Sequence, residues 1–439
     1  MINRLQRYLR MSGQCSSSEL VDFLSISLST VTRHLSKLMD DGSVVRLGQG
    51  KNIRYIALRT LDGIEQPILI RQVDALANVS IVGRLWLTYN GSVLETENET
   101  IEYDDLPWFL FDLKPQGFIG RLIGRRVGRK LKVSAKVDTW NSDDILRYLV
   151  LEKNNTSGNF ELYQSFGEVQ SIKKRSTTRT EILDLYDKHV KKPVFTEFEE
   201  HGGSSAGGEQ PKFNSRFYPN GLSKLVKYSP LLNVGNLIAE RVKDLLICEH
   251  HALEILQRFN NFSASSEIFI TNDRLYLEID RFDRVVVDDK EGQLGMVSLE
   301  SVIAQFVGYA GNWAEASDSL LAEKILDEEG ARLLKLWLAF SRFIGNTDTH
   351  NGNVSLFLDG IDPAGLTPAY DMLPMAYMPS NSELPTPKIN VRRPALIDDD
   401  IWQQGKELGN AFWQVIAQEK RITPAFRSIA KQWLAYLTP

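Results

Sequence analysis

Cysteine is nearly missing from this chain: Cys15 and Cys248 are the only two in 439 residues, and they lie far apart. That excludes a disulfide framework and a cysteine-rich zinc site, and it fits a reducing cytoplasm. Long apolar runs are missing too. The best candidate for a membrane span, LLKLWLAFSRFIG, carries Lys335 and Arg342. The opening MINRLQRYLR has no apolar signal core, so a cytoplasmic protein with no membrane contact is expected. No internal repeat is visible. The formal net charge is only −5, but it is unevenly spread. Residues 1–60 hold nine Lys/Arg against four acids, leaving +5 on the head and −10 on the remainder. A nucleic-acid-binding head on an acidic body is the expectation.

The head contains three amphipathic stretches. INRLQRYLRM sets Leu5, Tyr8 and Leu9 on one face, and SSSELVDFLSI starts with capping serines and buries Leu20, Phe23 and Leu24. SLSTVTRHLSKLMDDG buries Val31, Leu35 and Leu38 and turns Ser29, Thr30, Thr32, Arg33, Ser36 and Lys37 the other way. Short hydroxyls and long cations on one helix face suit bases and phosphates in a major groove. SVVRLGQGKNIRYIAL then reads as a hairpin whose Arg46, Lys51 and Arg54 lie along the DNA backbone. A helical protein–protein module is the alternative. The stretch resembles the winged helix-turn-helix domains of bacterial regulators, with Leu28 to Met39 as recognition helix.

Residues 61–190 carry the strand-like runs VSIVGRLWLTYNGSVLE and IEYDDLPWFLFDL, then the basic block GRLIGRRVGRKLKVSAK. The block reads either as a second phosphate contact or as a solvated helix face.

Four features of the second half follow an order that one mechanism would explain. HGGSSAGGEQPKF packs Gly202, Gly203, Gly207 and Gly208 ahead of a strand, where bare backbone can approach a phosphate. It matches neither standard nucleotide-loop pattern, and a surface loop is the plain alternative. LSKLVKYSP offers Lys227 on a strand, as a phosphate-reaching cation or an edge lysine turned to water. NVGNLIAERVKDLLICEHHALEIL reads as a helix in which Glu240 meets Lys227 or pairs locally with Lys243. Finally, NTDTHNGNVSLF and LTPAYDM supply Asp348, Asn353 and Asp371. A phosphoryl-transfer site needs a carboxylate beside the acceptor hydroxyl and oxygen ligands for magnesium, and these residues arrive in that order. An Asx-rich turn is the competing view of NTDTHNGN. Asp371 lies among apolar neighbours, so its carboxylate needs a partner. His350 is read as scaffold, and His250 and His251 as packing or surface residues.

Together SSAGGEQPKF, LVKYSP, LEIDRFDR, NTDTHNGNVSLF and LTPAYDM resemble the HipA-like serine/threonine kinases of bacterial toxin–antitoxin systems. The fused head is similar to the YjjJ-like subgroup. The resemblance implies an α+β, two-lobed kinase-like body that uses ATP and Mg2+. Asp348 would be the catalytic base, Asn353 and Asp371 the metal ligands, and Lys227 the phosphate anchor braced by Glu240. Gly207 and Gly208 would cover the phosphates, Phe282 and Asp283 would flank the adenine, and Ser205 would be the autophosphorylated serine. Asp280 stands where the family often has Glu. The resemblance also implies a translation component, such as an aminoacyl-tRNA synthetase, as protein substrate. The chain's own head makes a separate antitoxin partner an open question.

The expected organisation is a winged helix-turn-helix over residues 1–60, a HipA-like subdomain and connector over 61–190, an N-lobe over 191–285 and a helical C-lobe over 286–439. The leading function is an ATP/Mg-dependent serine/threonine kinase with a DNA-binding head. The alternative is a DNA-binding regulator whose kinase-like body only senses a nucleotide or partner.

Overall fold

A computed structural model describes residues 1–152, 157–163, 178–192, 210–215, 223–271, 273–288, 290–380 and 383–438. It divides into two compact units. One comprises residues 1–74, 78–115 and 123–170, the other 75–77, 116–122 and 171–439.

The first unit opens with α1 (Ile2–Ser12), β1 (Gln14–Cys15), α2 (Ser17–Leu24) and α3 (Leu28–Asp40), followed by β2 (Val44–Leu47) and β3 (Arg54–Ala57). Helix α2 begins where expected because Ser16 and Glu19 form a reciprocal capping box. Helix α3 starts at the Ser27 side chain, which accepts from the Thr30 N–H. The three strands make an antiparallel sheet in the order β1-β3-β2. Leu5, Leu9, Leu20, Leu24, Val31, Leu35 and Leu38 close one core with Val44 and Ala57. Phe23 departs from expectation: it is 44% exposed and stacks on Tyr8 at 3.8 Å instead of entering that core.

The same unit holds β4 (Ile68–Val73), β5 (Val79–Thr88), β6 (Gly91–Glu95), β7 (Thr100–Tyr103) and β8 (Phe160–Tyr163), an antiparallel sheet in the order β7-β6-β5-β4-β8. The expected strand IEYDDLPWFLFDL stops at Tyr103. Trp108–Leu113 is a 3-10 turn following Pro107, and it buries Trp108, Phe109, Leu110 and Leu113. The basic block forms α4 (Gly117–Leu131), and α5 (Ser142–Leu151) follows. Lys130 of α4 pairs with Glu152 at 2.5 Å, and Arg125, Arg126 and Arg129 are exposed.

The second unit begins with α6 (Arg179–Val190), β9 (Lys212–Ser215), β10 (Lys224–Tyr228), α7 (Leu237–Asn260), β11 (Ser266–Ile270) and β12 (Leu275–Asp280). The strands form an antiparallel sheet in the order β11-β12-β10-β9. A hairpin of β13 (Arg284–Val287) and β14 (Lys290–Gln293) leads to β15 (Gly295–Ser298). Next come α8 (Leu299–Phe306), α9 (Trp313–Ala322), α10 (Glu328–Ile344), β16 (Ser355–Asp359), β17 (Asp362–Leu366), α11 (Asp399–Gln418) and α12 (Pro424–Leu437). Strands β15, β16 and β17 form a small sheet, while Trp337, Phe340, Phe412, Trp413 and Phe426 are fully buried side chains of the helical part. Among the described residues no helix is long and apolar enough to cross a membrane.

Candidate functional site

Strand β10 is interior to its sheet, so Lys227 is not the edge lysine that the sequence left open; it is 2% exposed. A lysine that deep needs compensation. Its Nζ donates to Oε1 of Glu249 at 2.6 Å and to Oδ1 of Asp371. Burial opposes the charge, but these two carboxylates outweigh it and raise the Lys227 pKa. Burial lifts Glu249 to about 7 despite the lysine. Burial would raise Asp371, but the nearby cations, Lys227 foremost, together hold it at about 2.

The brace expected from Glu240 is therefore supplied by Glu249. The two glutamates are nine residues apart on α7, about two and a half turns, which puts them on opposite sides of the helix. Glu240 lies half-buried in the first turn, and Lys243 pairs with Asp244 at 3.4 Å instead of with Glu240.

Asp371 follows β17 with φ 55°, a left-handed conformation that Asp tolerates better than most residues. Ala369, Met372 and Leu373 beside it are buried, as expected, yet 29% of the Asp371 side chain stays exposed. An uncommon backbone state that holds a carboxylate against a buried lysine is the kind of strain found at functional sites.

The loop that follows α10 is built by turn chemistry. Gly345 ends the helix at φ 74°, and the Asn346 side chain accepts from the Asp348 N–H at 3.0 Å. The Asn353 Nδ2 donates to the Asp348 carbonyl at 2.8 Å, tying these two residues together. His350 Nδ1 accepts from the Gly352 N–H at 3.1 Å, and its carbonyl accepts from the Trp313 indole at 3.1 Å. Its Nε2 lies 3.5 Å from Asp348 Oδ1. The Asx turn and the presentation of Asp348 are thus one construction.

Phe282 packs on Phe357 and on Tyr370, the residue before Asp371, at centroid distances of 6.2 and 5.9 Å. Asp283 offers no open carboxylate: it is 4% exposed and accepts from Arg281 and Arg284. These bonds fix the turn between β12 and β13. Asp280 is engaged by Lys224, its cross-strand partner. Ser205, Gly207 and Gly208 lie outside the described residues.

Sequence reasoning missed Lys212. It is the cross-strand partner of Lys227, so both side chains leave the same face of the sheet. Its charge helps to lower Asp371 and Glu249. The signal was present in QPKF, one strand before LVKYSP, but the pairing register was not.

The donor set fits a hard divalent cation. Asp371 keeps an exposed part of its carboxylate, and the Asn353 Oδ1 takes no hydrogen bond among the described residues. The Glu249 Oε2 is buried without a hydrogen-bond partner among the described residues.

On the head, Thr32, Arg33, Lys37 and Lys51 are exposed, and Thr30, Ser36 and Arg54 are half-buried. Val31, Leu35 and Leu38 of α3 are buried, while Ser29, Thr32, Arg33 and Lys37 are exposed and His34 is half-buried beside the core stripe.

Two family models match this chain: the middle domain of YjjJ-like toxins over residues 64–167 and the HipA-like C-terminal domain over residues 204–434. Among curated proteins, toxin YjjJ of Escherichia coli K12 is 32% identical over 437 residues, covering 97% of this chain and 95% of the relative. Among solved structures, HipA in the Shewanella oneidensis MR-1 toxin–antitoxin complex with HipB and operator DNA superposes with TM-score 0.55 at 16% identity. That match covers 84% of this chain and 95% of the other.

Proposed function

The chain belongs to the HipA-like family, in its YjjJ-like toxin branch, and on that premise we propose that it is a toxin-type kinase transferring the γ-phosphoryl group of ATP to a serine or threonine hydroxyl of a protein. The observation that carries this reading is the buried Lys227, held between Glu249 and Asp371.

In this reading Lys227 and Lys212 receive the phosphates of ATP, and Glu249 keeps the Lys227 ammonium in place. Asn353 and Asp371 would hold Mg2+, which when bound neutralises phosphate charge and orients the transferred group. Asp348, 43% exposed at its side chain, accepts the proton of the acceptor hydroxyl. Its peptide is fixed by Asn346 and Asn353, so the carboxylate is aimed before the substrate arrives. Phe282 would supply an apolar wall for the adenine.

The head is assigned to double-stranded DNA, with α3 as recognition helix and the β2–β3 hairpin as a wing. Its +5 charge and the exposed Arg33 and Lys37 support this. Autophosphorylation at Ser205 rests on the SSAGGEQPKF motif, and phosphate there would repel the phosphates of incoming ATP. A translation component remains the proposed substrate. Incubating the pure protein with Mg2+ and ATP and mapping phosphate tests the kinase reading.

A further inference from the structure

Helix α7 carries a second cluster one residue beyond Glu249. His250, His251 and Glu254 bring one ligand-type atom each to within 4.8 Å of one another. Two features set this apart from an ordinary surface group of polar residues. First, each imidazole has one nitrogen already fixed from outside the cluster. His250 Nδ1 lies 3.0 Å from Ser266 Oγ on β11, and His251 Nε2 lies 3.0 Å from Glu419 Oε2, just after α11. Metal-binding histidines are held in this way, with a hydroxyl or carboxylate on the far nitrogen setting tautomer and ring angle. Second, the two remaining nitrogens converge on one oxygen. His251 Nδ1 is 3.0 Å and His250 Nε2 is 3.7 Å from Glu254 Oε2. Ligand atoms around a tetrahedral zinc stand about 3.3 Å apart, given bonds of about 2.0 Å.

The charged groups around the cluster are Glu254 and Glu419, with Arg258 at 3.5 Å from the other oxygen of Glu254 and Arg421 at 2.7 Å from Glu419. The histidine side chains are 12% and 10% exposed and the glutamate 36%, so the ligands have a dry base and an open mouth.

The geometry points to a cation site at His250, His251 and Glu254 that takes a zinc-class divalent ion, with water as its fourth ligand. An ion there would tie α7 to β11 through Ser266 and to the segment after α11 through Glu419. It would thereby brace the helix that presents Glu249 to Lys227. The site is separate from the proposed magnesium ligands Asn353 and Asp371, and nitrogen ligands select a different class of metal.

The test uses the full-length protein, stripped with a chelator and titrated with Co2+ while visible absorption is recorded. One equivalent giving the intense bands of a low-coordinate, nitrogen-bearing site is expected, in wild type and in Asp371→Asn alike. His250→Ala and Glu254→Gln should abolish the bands, each checked for a wild-type far-UV circular dichroism spectrum. Ser266→Ala keeps all three ligands, so it should keep the stoichiometry but weaken affinity about tenfold. Saturating Zn2+ should raise the Tm of wild type by about 5 °C and leave Glu254→Gln unmoved. Wild-type absorption no stronger than that of His250→Ala would overturn the site.

Discussion

Lys227 reaches Glu249, 2.6 Å away, from the middle of a sheet, and neither side chain is more than 2% exposed. The partner of this lysine sits on the far side of α7 from Glu240, so two glutamates of one helix have separable consequences. Glu249→Ala leaves the buried Lys227 ammonium with Asp371 but without its fully buried partner, and should cost about 3 kcal/mol. Glu240→Ala, at a half-buried position without an ion pair among the described residues, should stay within about 0.5 kcal/mol. Urea unfolding of the two variants side by side decides this, and equal losses would contradict the assignment.

The same pair sets a pH dependence. Glu249 titrates near 7 in the folded state against 4.5 ordinarily, so between these values the folded protein holds the extra proton. Stability from this group is fully present below pH 4.5 and is lost as pH rises through about 7. Asp371 acts in a lower window: held at about 2 against 3.8, it stabilises above pH 3.8 and loses that contribution as pH falls through about 2. Unfolding free energies at pH 5 and pH 7 should therefore fall with pH in wild type, with a flatter slope in Glu249→Gln. An unchanged slope in that variant would assign the titration elsewhere.

Lys212 is predicted to act on nucleotide affinity. It faces the site from β9 without an ion pair among the described residues. Lys212→Met should raise the KM for ATP about tenfold, about 1.4 kcal/mol, with a smaller change in kcat. A kcat loss at constant KM would show that it serves the chemical step instead.

For the head, Arg33→Ala and Lys37→Ala should each weaken binding of genomic DNA fragments and lower the salt slope by about 1. Both positions are exposed on α3, so the variants should melt like wild type. Gel shifts across a salt series measure it. Unchanged binding in both variants would mean that α3 is not the recognition helix.

How much of this was legible in the sequence varies with the range of the interaction. The helices of the head were readable because Leu20, Leu24, Val31, Leu35 and Leu38 recur at helical spacing behind capping serines. Phe23 was misread because period alone does not say where the apolar face ends; its ring prefers Tyr8 at the rim. Trp108 to Leu113 looked like a strand because a buried apolar run has the same composition in either state. The grouping of Asp348 with Asn353 follows from local turn residues and was visible. The choice of Glu249 over Glu240 depends on helix phase relative to a strand, and that is fixed only by packing. The apolar neighbours of Asp371 signalled that its carboxylate needs a partner, but its left-handed φ had no sequence signal.

The central claim is that the loop holding Asp348 performs phosphoryl transfer. Purified protein incubated with Mg2+ and γ-labelled ATP, with phosphorylated residues mapped by mass spectrometry, tests it most directly. Wild type should acquire phosphate on serine or threonine, and Asp348→Asn should label at least a hundredfold less. Equal labelling of the two proteins, or no label on wild type at any site, would contradict it.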